Sequence, residues 1–204
     1  MPTAFDQSTY QVRLDWGLPG LERLASSDVV VVVDVLHFST RLADAVETGT
    51  EAGLSAEEVH EASAVAAAAA SRGATVLVGG IRNAAAVARA VQQIQERRQA
   101  RTSVAVIAVG QTDAAAGVRF AVEDQLGAGA VVAALTERGI DHTAPEAAVA
   151  AEGFHALRRA LGHLVSASGS GRDSADAEAA ARAAQLDAVD AVPLLRDGRF
   201  VAFA

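Results

Sequence analysis

Apolar and polar positions fall into short blocks along this chain, and the period changes from block to block. The clearest block is Val29–Val33, five valines between Asp28 and Asp34. A β-branched run this short predicts a strand buried on both faces, as in a parallel sheet. Ala74–Gly80 and Ser103–Gly110 predict two more strands, and residues 8–16 alternate loosely enough for an edge strand or entry segment. Gly17–Gly20 reads as a turn and Leu21–Ala25 as a short helix. Ser39 and Thr40 stand where N-caps belong for a helix over Arg41–Glu47, closed by Gly49. Ser55-Ala-Glu-Glu58 fits a capping box at the head of an Ala-rich helix running to Arg72. Asn83 is placed to cap a helix with Val87, Val91 and Ile94 on one stripe. Further helices are expected over Glu123–Arg138, after Thr143-Ala-Pro-Glu146 with Phe154, Leu157 and Leu161 on one side, and over Asp173–Gln185. Residues 166–172 read as a loop. Asp197-Gly198 between two apolar runs signals a C-terminal β-hairpin. Together these predict an α/β three-layer sandwich with a mostly parallel sheet, in a single domain over residues 1–204.

Composition narrows the function. The chain is 51% apolar, enough to bury a sizeable core. Ala and Val dominate, so helices should lie close against a Val-rich sheet. The net charge is −8, and of 17 basic residues only Arg97, Arg98 and Arg101 cluster, which argues against a nucleic-acid partner. No Cys is present, so disulfides and thiol catalysis are excluded. No apolar run reaches spanning length, and the N-terminus lacks a signal-peptide pattern. The expectation is a cytoplasmic protein with no membrane partner.

Candidate chemistry gathers where strands end, because open α/β sheets bind ligands there. Asp34 follows five valines and precedes two more apolar residues. A carboxylate so placed is costly unless paired, hydrogen-bonded or metal-bound. It is therefore either a Mg²⁺ ligand or a structural acceptor of backbone amides. Ser39 and Thr40 either cap a helix or open an anion site at its amides. His37 beside them is an acid, a base, a phosphate contact or a structural residue. Glu123 and Asp124 begin a helix, where the dipole favours carboxylates; they also suit a metal or a general base. Arg119, four residues earlier, can hold a phosphate or sulfonate bidentately, or pair with these acids. Ser166, Ser168 and Arg172 could wrap an anion, although Ser168-Gly-Ser-Gly171 is not a P-loop. Leu36 stands where a haloacid-dehalogenase phosphatase needs its second Asp.

Several of these segments, in order, resemble the ComB family, the 2-phosphosulfolactate phosphatases. They are residues 31–40 (VVVDVLHFST), 77–88 (LVGGIRNAAAVA), 119–129 (RFAVEDQLGAG), 166–169 (SASG) and 190–199 (DAVPLLRDGR). The resemblance implies an α/β fold and Mg²⁺-dependent hydrolysis of a small anionic phosphate ester. Asp34 matches the family's strand-end Asp, Ser39 and Thr40 its following hydroxyls, and Asn83 the Asn that starts its next helix. Arg119, Glu123 and Asp124 match its Arg-x-x-x-Glu-Asp motif. Family members usually carry Arg in place of His37 and often Cys in place of Gly127. The Gly-Glu-Arg, Gly-Asn-Ser-Pro and Thr-Thr-Asn-Gly-Thr segments that normally precede the second strand are absent.

Two functions follow. In the first, Asp34 and Glu123 (or Asp124) hold Mg²⁺. Arg119 and the Ser39–Thr40 amides then stabilise charge on the phosphate, and Glu123 or Asp124 can instead be a general base. In the alternative, a non-catalytic ComB-like protein binds a small anionic ligand or a protein partner. A homodimer is possible through the Ala-rich helix or the terminal hairpin.

Overall fold

The computed structural model describes residues 3–53, 61–113, 117–174 and 176–204. The chain opens with β1 (Val12–Trp16), α1 (Gly17–Arg23) and β2 (Val29–Val33). A π-helical turn, Val35–Ser39, leads into α2 (Thr40–Glu47), followed by β3 (Ala52–Gly53), α3 (Glu61–Ser71) and β4 (Thr75–Val78). A 3₁₀ turn, Ile81–Asn83, leads into α4 (Ala84–Arg98) and then β5 (Val104–Ala108). The hairpin of β6 (Gln111–Asp113) and β7 (Gly117–Arg119) precedes α5 (Val122–Glu137) and α6 (Pro145–Leu157). The last elements are α7 (Leu161–Ala167), α8 (Gly169–Asp173), α9 (Ala177–Ala183), β8 (Pro193–Arg196) and β9 (Arg199–Ala202).

Seven strands form one sheet in the order β1-β5-β2-β4-β8-β9-β3. β1, β5, β2 and β4 are parallel, while β8 is antiparallel to β4, β9 to β8 and β3 to β9. Five of the seven therefore point the same way. β2 lies between β4 and β5 and is buried along its whole length, which explains its unbroken valines. Val29, Val31 and Val33 pack into the core under α4–α7 and α9, and Val30 and Val32 into the core under α1, α2 and α3. Helices thus cover both faces, giving the expected three layers. The hairpin β8–β9 turns at Asp197 and Gly198, both at positive φ.

The crossover pattern creates a switch point. From β2 the chain passes through α3 to β4 on one side, and from β4 through α4 back to β5 on the other. The segment after β2 leads to the α2 face, and the segment after β5 leads to α5 on the opposite face. A crevice at the carboxyl ends of β2 and β5 is the expected binding region.

Several local expectations change. Gly17–Gly20 is not a turn but the first part of α1, where Pro19 is tolerated because early helical N–H groups need no partner. Residues 166–172 are helical, not a loop: Ser168 accepts a hydrogen bond from the Gly171 N–H (3.0 Å) and caps α8. The stripe after Thr143 breaks at a 3₁₀ turn over Arg158–Ala160, so Phe154 and Leu161 are buried but Leu157 is exposed. The last helix begins later, at Ala177, capped by Asp176. Ser55–Glu58 lies outside the described residues. The Ala-rich helix turns Ala62, Val65, Ala66 and Ala69 into the core, so that face is spent within the chain.

Candidate functional site

Immediately after β2 the backbone does not enter an α-helix. The Ser39 N–H donates to the Asp34 carbonyl (2.7 Å), five residues apart, and so widens the first turn. Wide turns of this kind recur at functional sites. Side chains fix it. Asp34 donates its N–H to Ser39 Oγ (2.9 Å), and its Oδ1 accepts from the His37 N–H (3.4 Å). Thr40 Oγ1 donates to the Val35 carbonyl (2.6 Å). Ser39 and Thr40 therefore do not cap α2 as expected; they brace the turn that presents Asp34, which is itself the cap.

α5 supplies the facing wall. Asp124 Oδ1 accepts from the Val35 N–H (2.8 Å) and Oδ2 from the Gly110 N–H (2.9 Å). One carboxylate thus ties together the ends of β2 and β5, across the switch point. α5 comes so close here that a Cβ on Gly127 would meet Val35 Cγ2 at 2.5 Å. Glu123 is 2% exposed, and its Oε2 has no hydrogen-bond partner among the described residues.

Three carboxylates therefore converge at the end of β2. Burial, then the charge of Asp34 and that of Glu123, pushes the Asp124 carboxyl well above its ordinary value. His37 lies against them, its Nδ1 3.6 Å from Asp34 Oδ1. Its hydrogen bond to Asp34 raises its pKa; burial opposes this, and the charges of Asp34 and Glu123 add to it. The charge of Arg41, on the first turn of α2, opposes that rise. The amides after β2 are not an open anion site, because Val35, His37 and Ser39 N–H groups already have acceptors.

The side chains of the other candidates, the exposed Arg172 aside, have partners of their own. Arg119 ends β7 and donates to Gln111 Oε1 (3.0 Å), while Gln111 Nε2 donates to Ser170 Oγ (2.7 Å). Gly169 lies alongside: a Cβ there would be 3.6 Å from Arg119 Nη1. This links the hairpin to α8. Ser166 points along α7, donating to the Gly162 carbonyl (2.8 Å), and Ser168 is buried as a cap; Arg172 is exposed. Asn83 does not cap α4. Its Oδ1 accepts from the Gly80 N–H (3.1 Å), and its Nδ2 donates to the Val78 (3.3 Å) and Ala191 (3.1 Å) carbonyls. Gln111, Ser170 and Arg41 escaped the sequence reading. The only trace of Gln111 was its place just past Gly110, at a strand end.

The donor set can be compared with a cation. Mg²⁺ takes oxygen ligands and commonly uses one or two carboxylates, with waters and substrate phosphate completing its shell. Asp34 and the orphan Glu123 Oε2 fit that pattern. Both Asp124 oxygens are already engaged. Among the described residues no group of three or more His, Asp or Glu side chains is spaced to hold a metal. No helix among them is long and apolar enough to cross a membrane. A cleft of about 870 Å³ lies beside β1 and α6, with Gln125 of α5 also in its lining.

A protein-family model described as 2-phosphosulpholactate phosphatase matches residues 63–198, two thirds of the chain. The match includes Asn83, Arg119, Glu123 and Asp124, and starts after Asp34, His37, Ser39 and Thr40. No curated protein matches the chain.

Proposed function

The chain belongs to the 2-phosphosulfolactate phosphatase family, and from that premise we propose that it hydrolyses a small anionic phosphate ester with the help of Mg²⁺ held by Asp34 and Glu123. The observation that carries this reading is the buried, unpartnered Glu123 Oε2 beside two further carboxylates. A phosphate dianion is repelled by such a cluster, and the amides after β2 that could have held it are already engaged. A divalent cation reconciles an anionic substrate with an anionic pocket.

In hydrolysis, water adds to phosphorus, the P–O bond to the alcohol breaks, and the alcohol leaves with a proton. The metal supplies charge neutralisation on the phosphoryl oxygens and a more acidic bound water. Asp34 and Glu123 are its carboxylate anchors, held by the widened turn and by α5. Asp124 is a spacer that sets the distance between those anchors. His37, beside Asp34, stands where the family usually carries Arg. Arg119, oriented by Gln111, suits a second anionic group on the substrate, such as a carboxylate or sulfonate.

Purified protein is assayed with Mg²⁺ and a panel of phosphorylated 2-hydroxy acids that includes 2-phosphosulfolactate. Release of phosphate that needs Mg²⁺, and that falls by about 100-fold or more in Asp34→Asn, is the expected result. Undiminished hydrolysis by Asp34→Asn defeats the assignment.

A second reading is favoured by one observation: the family match begins after Asp34 and its turn. A binding protein without turnover would keep metal affinity, measured by calorimetry, yet release no phosphate from any member of the panel.

A further inference from the structure

α6 carries a ridge that its own fold does not use. Pro145, Val149, Gly153 and Leu157 recur every four residues, on the side away from the buried Ala147, Ala150, Ala151 and Phe154. Val149 is 70% exposed. The ridge borders the 870 Å³ cleft, whose lining includes Phe5, Leu14, Trp16, Pro145, Glu146 and Val149. Of the five exposed large hydrophobics among the described residues, Phe5, Val149 and Leu157 lie on this face, and Phe120 stacks on the cleft's Trp16. A concentration of this kind marks an interaction surface.

Gly153 supplies an independent sign. Glycine is disfavoured inside a helix unless something needs the missing Cβ. For Gly127 and Gly129 of α5 the need is internal, since a Cβ would collide with Val35 and with the Ala150 carbonyl. A Cβ on Gly153 would meet nothing within 4 Å among the described residues. Gly162 is open in the same way, but it lies in the first turn of α7, where the cost is smaller. Close approach by another molecule accounts for Gly153.

Charge identifies that molecule. Along α6 and the 3₁₀ turn that follows it, Glu146 and Glu152 precede His155, Arg158 and Arg159. A second α6 laid antiparallel brings each acidic half against the other's basic end, and only a second copy of this chain carries that pattern by necessity. Ridges of i, i+4 spacing interdigitate in such a crossing. The same register sets Leu157 of one copy over Pro145 of the other, at the mouth of the cleft. The edge of β1 is not available for strand pairing here. The Gln7 side chain already bonds both the Leu14 N–H (3.0 Å) and the Leu14 carbonyl (3.0 Å). We infer that the protein forms a two-fold homodimer through antiparallel α6 helices, each copy closing the other's cleft.

Sedimentation of the full chain over about 1–100 µM tests this. A dimer is expected. Val149→Glu, at an exposed position, should yield a folded monomer whose melting temperature no longer depends on protein concentration. Glu146→Arg should weaken association by about tenfold or more, and adding Arg158→Glu and Arg159→Glu to the same chain should restore it. A wild-type monomer throughout the range overturns the inference. So does a dimer that Val149→Glu leaves intact, or a charge reversal that restores nothing.

Discussion

Two neighbouring strand ends bury polar side chains in opposite ways. After β4, Asn83 uses its oxygen on the Gly80 N–H and its nitrogen on the Val78 and Ala191 carbonyls. The donors and acceptors of Asn83 thus all find partners, and the side chain holds the Gly79–Asn83 bend to the segment before β8. After β2, three carboxylates collect around one half-exposed histidine, and Glu123 keeps an oxygen with no partner. Both ends are buried, so burial does not separate them. What separates them is balance: Asn83 is satisfied by backbone groups, with the neighbouring Arg82 Nε the one buried side-chain donor that lacks a partner among the described residues, whereas the β2 end gathers like charges around an unpartnered acceptor, Glu123 Oε2.

The sharpest way to break this contrast is Asp124→Asn. Both Asp124 oxygens accept from backbone N–H groups, so it resembles Asn83 more than Glu123. The amide would turn an N–H toward one of those N–H groups. A loss of about 3 kcal/mol in denaturant unfolding is expected. Mg²⁺ affinity should fall less than in Glu123→Gln, because Asp124 is not an anchor. If Asp124→Asn abolishes metal binding while Glu123→Gln retains it, the two roles have been exchanged.

Asn83→Ala tests the balanced end. It leaves the Gly80 N–H and the Val78 carbonyl buried without that partner. Destabilisation of about 2 kcal/mol is expected. Below the unfolding transition the catalytic rate should stay within a few-fold of the parent. A large fall in rate without a fall in stability would move Asn83 into the pocket.

The sheet was legible because Val29–Val33 cannot be anything but an interior strand, and the Asp197-Gly198 turn because few other pairs accept its backbone angles. Asp34 stood out for a related reason: one acid against five valines. The rest depended on contacts distant in sequence. Ser39 and Thr40 looked like caps because cap and brace use the same residues; the bond from the Ser39 N–H to the Asp34 carbonyl shows the widened turn, and Asp124, 89 residues beyond Val35, holds its first N–H. Residues 166–172 looked like a loop because glycine and serine disfavour helices; Ser168 caps there, and its burial was invisible in the local pattern. Whether Arg119 joins the carboxylates was equally hidden. The structure aims it at Gln111 and the start of α8 instead.

The smallest expected effect is a slope in stability with pH, and it belongs to the β2 end alone. His37 is raised from its ordinary 6.5, chiefly by its hydrogen bond to Asp34. A raised histidine binds its proton more tightly in the folded state. Its contribution is therefore complete below about pH 6.5 and is lost as pH rises through the raised value. Asp124 acts in the same direction, since a carboxyl raised by burial also favours the protonated folded form. Melting temperature should therefore lose the Asp124 contribution as pH rises above about 3.8 and the His37 contribution as it rises above about 6.5. His37→Gln should flatten that decline, because the neutral amide has no proton to lose, and Asn83→Ala should lower the whole curve without changing its slope. Bound Mg²⁺ should reduce the slope as well, by neutralising the charge of Asp34 that raises both groups. A slope that survives His37→Gln unchanged would mean that the surplus charge at this strand end is not what titrates.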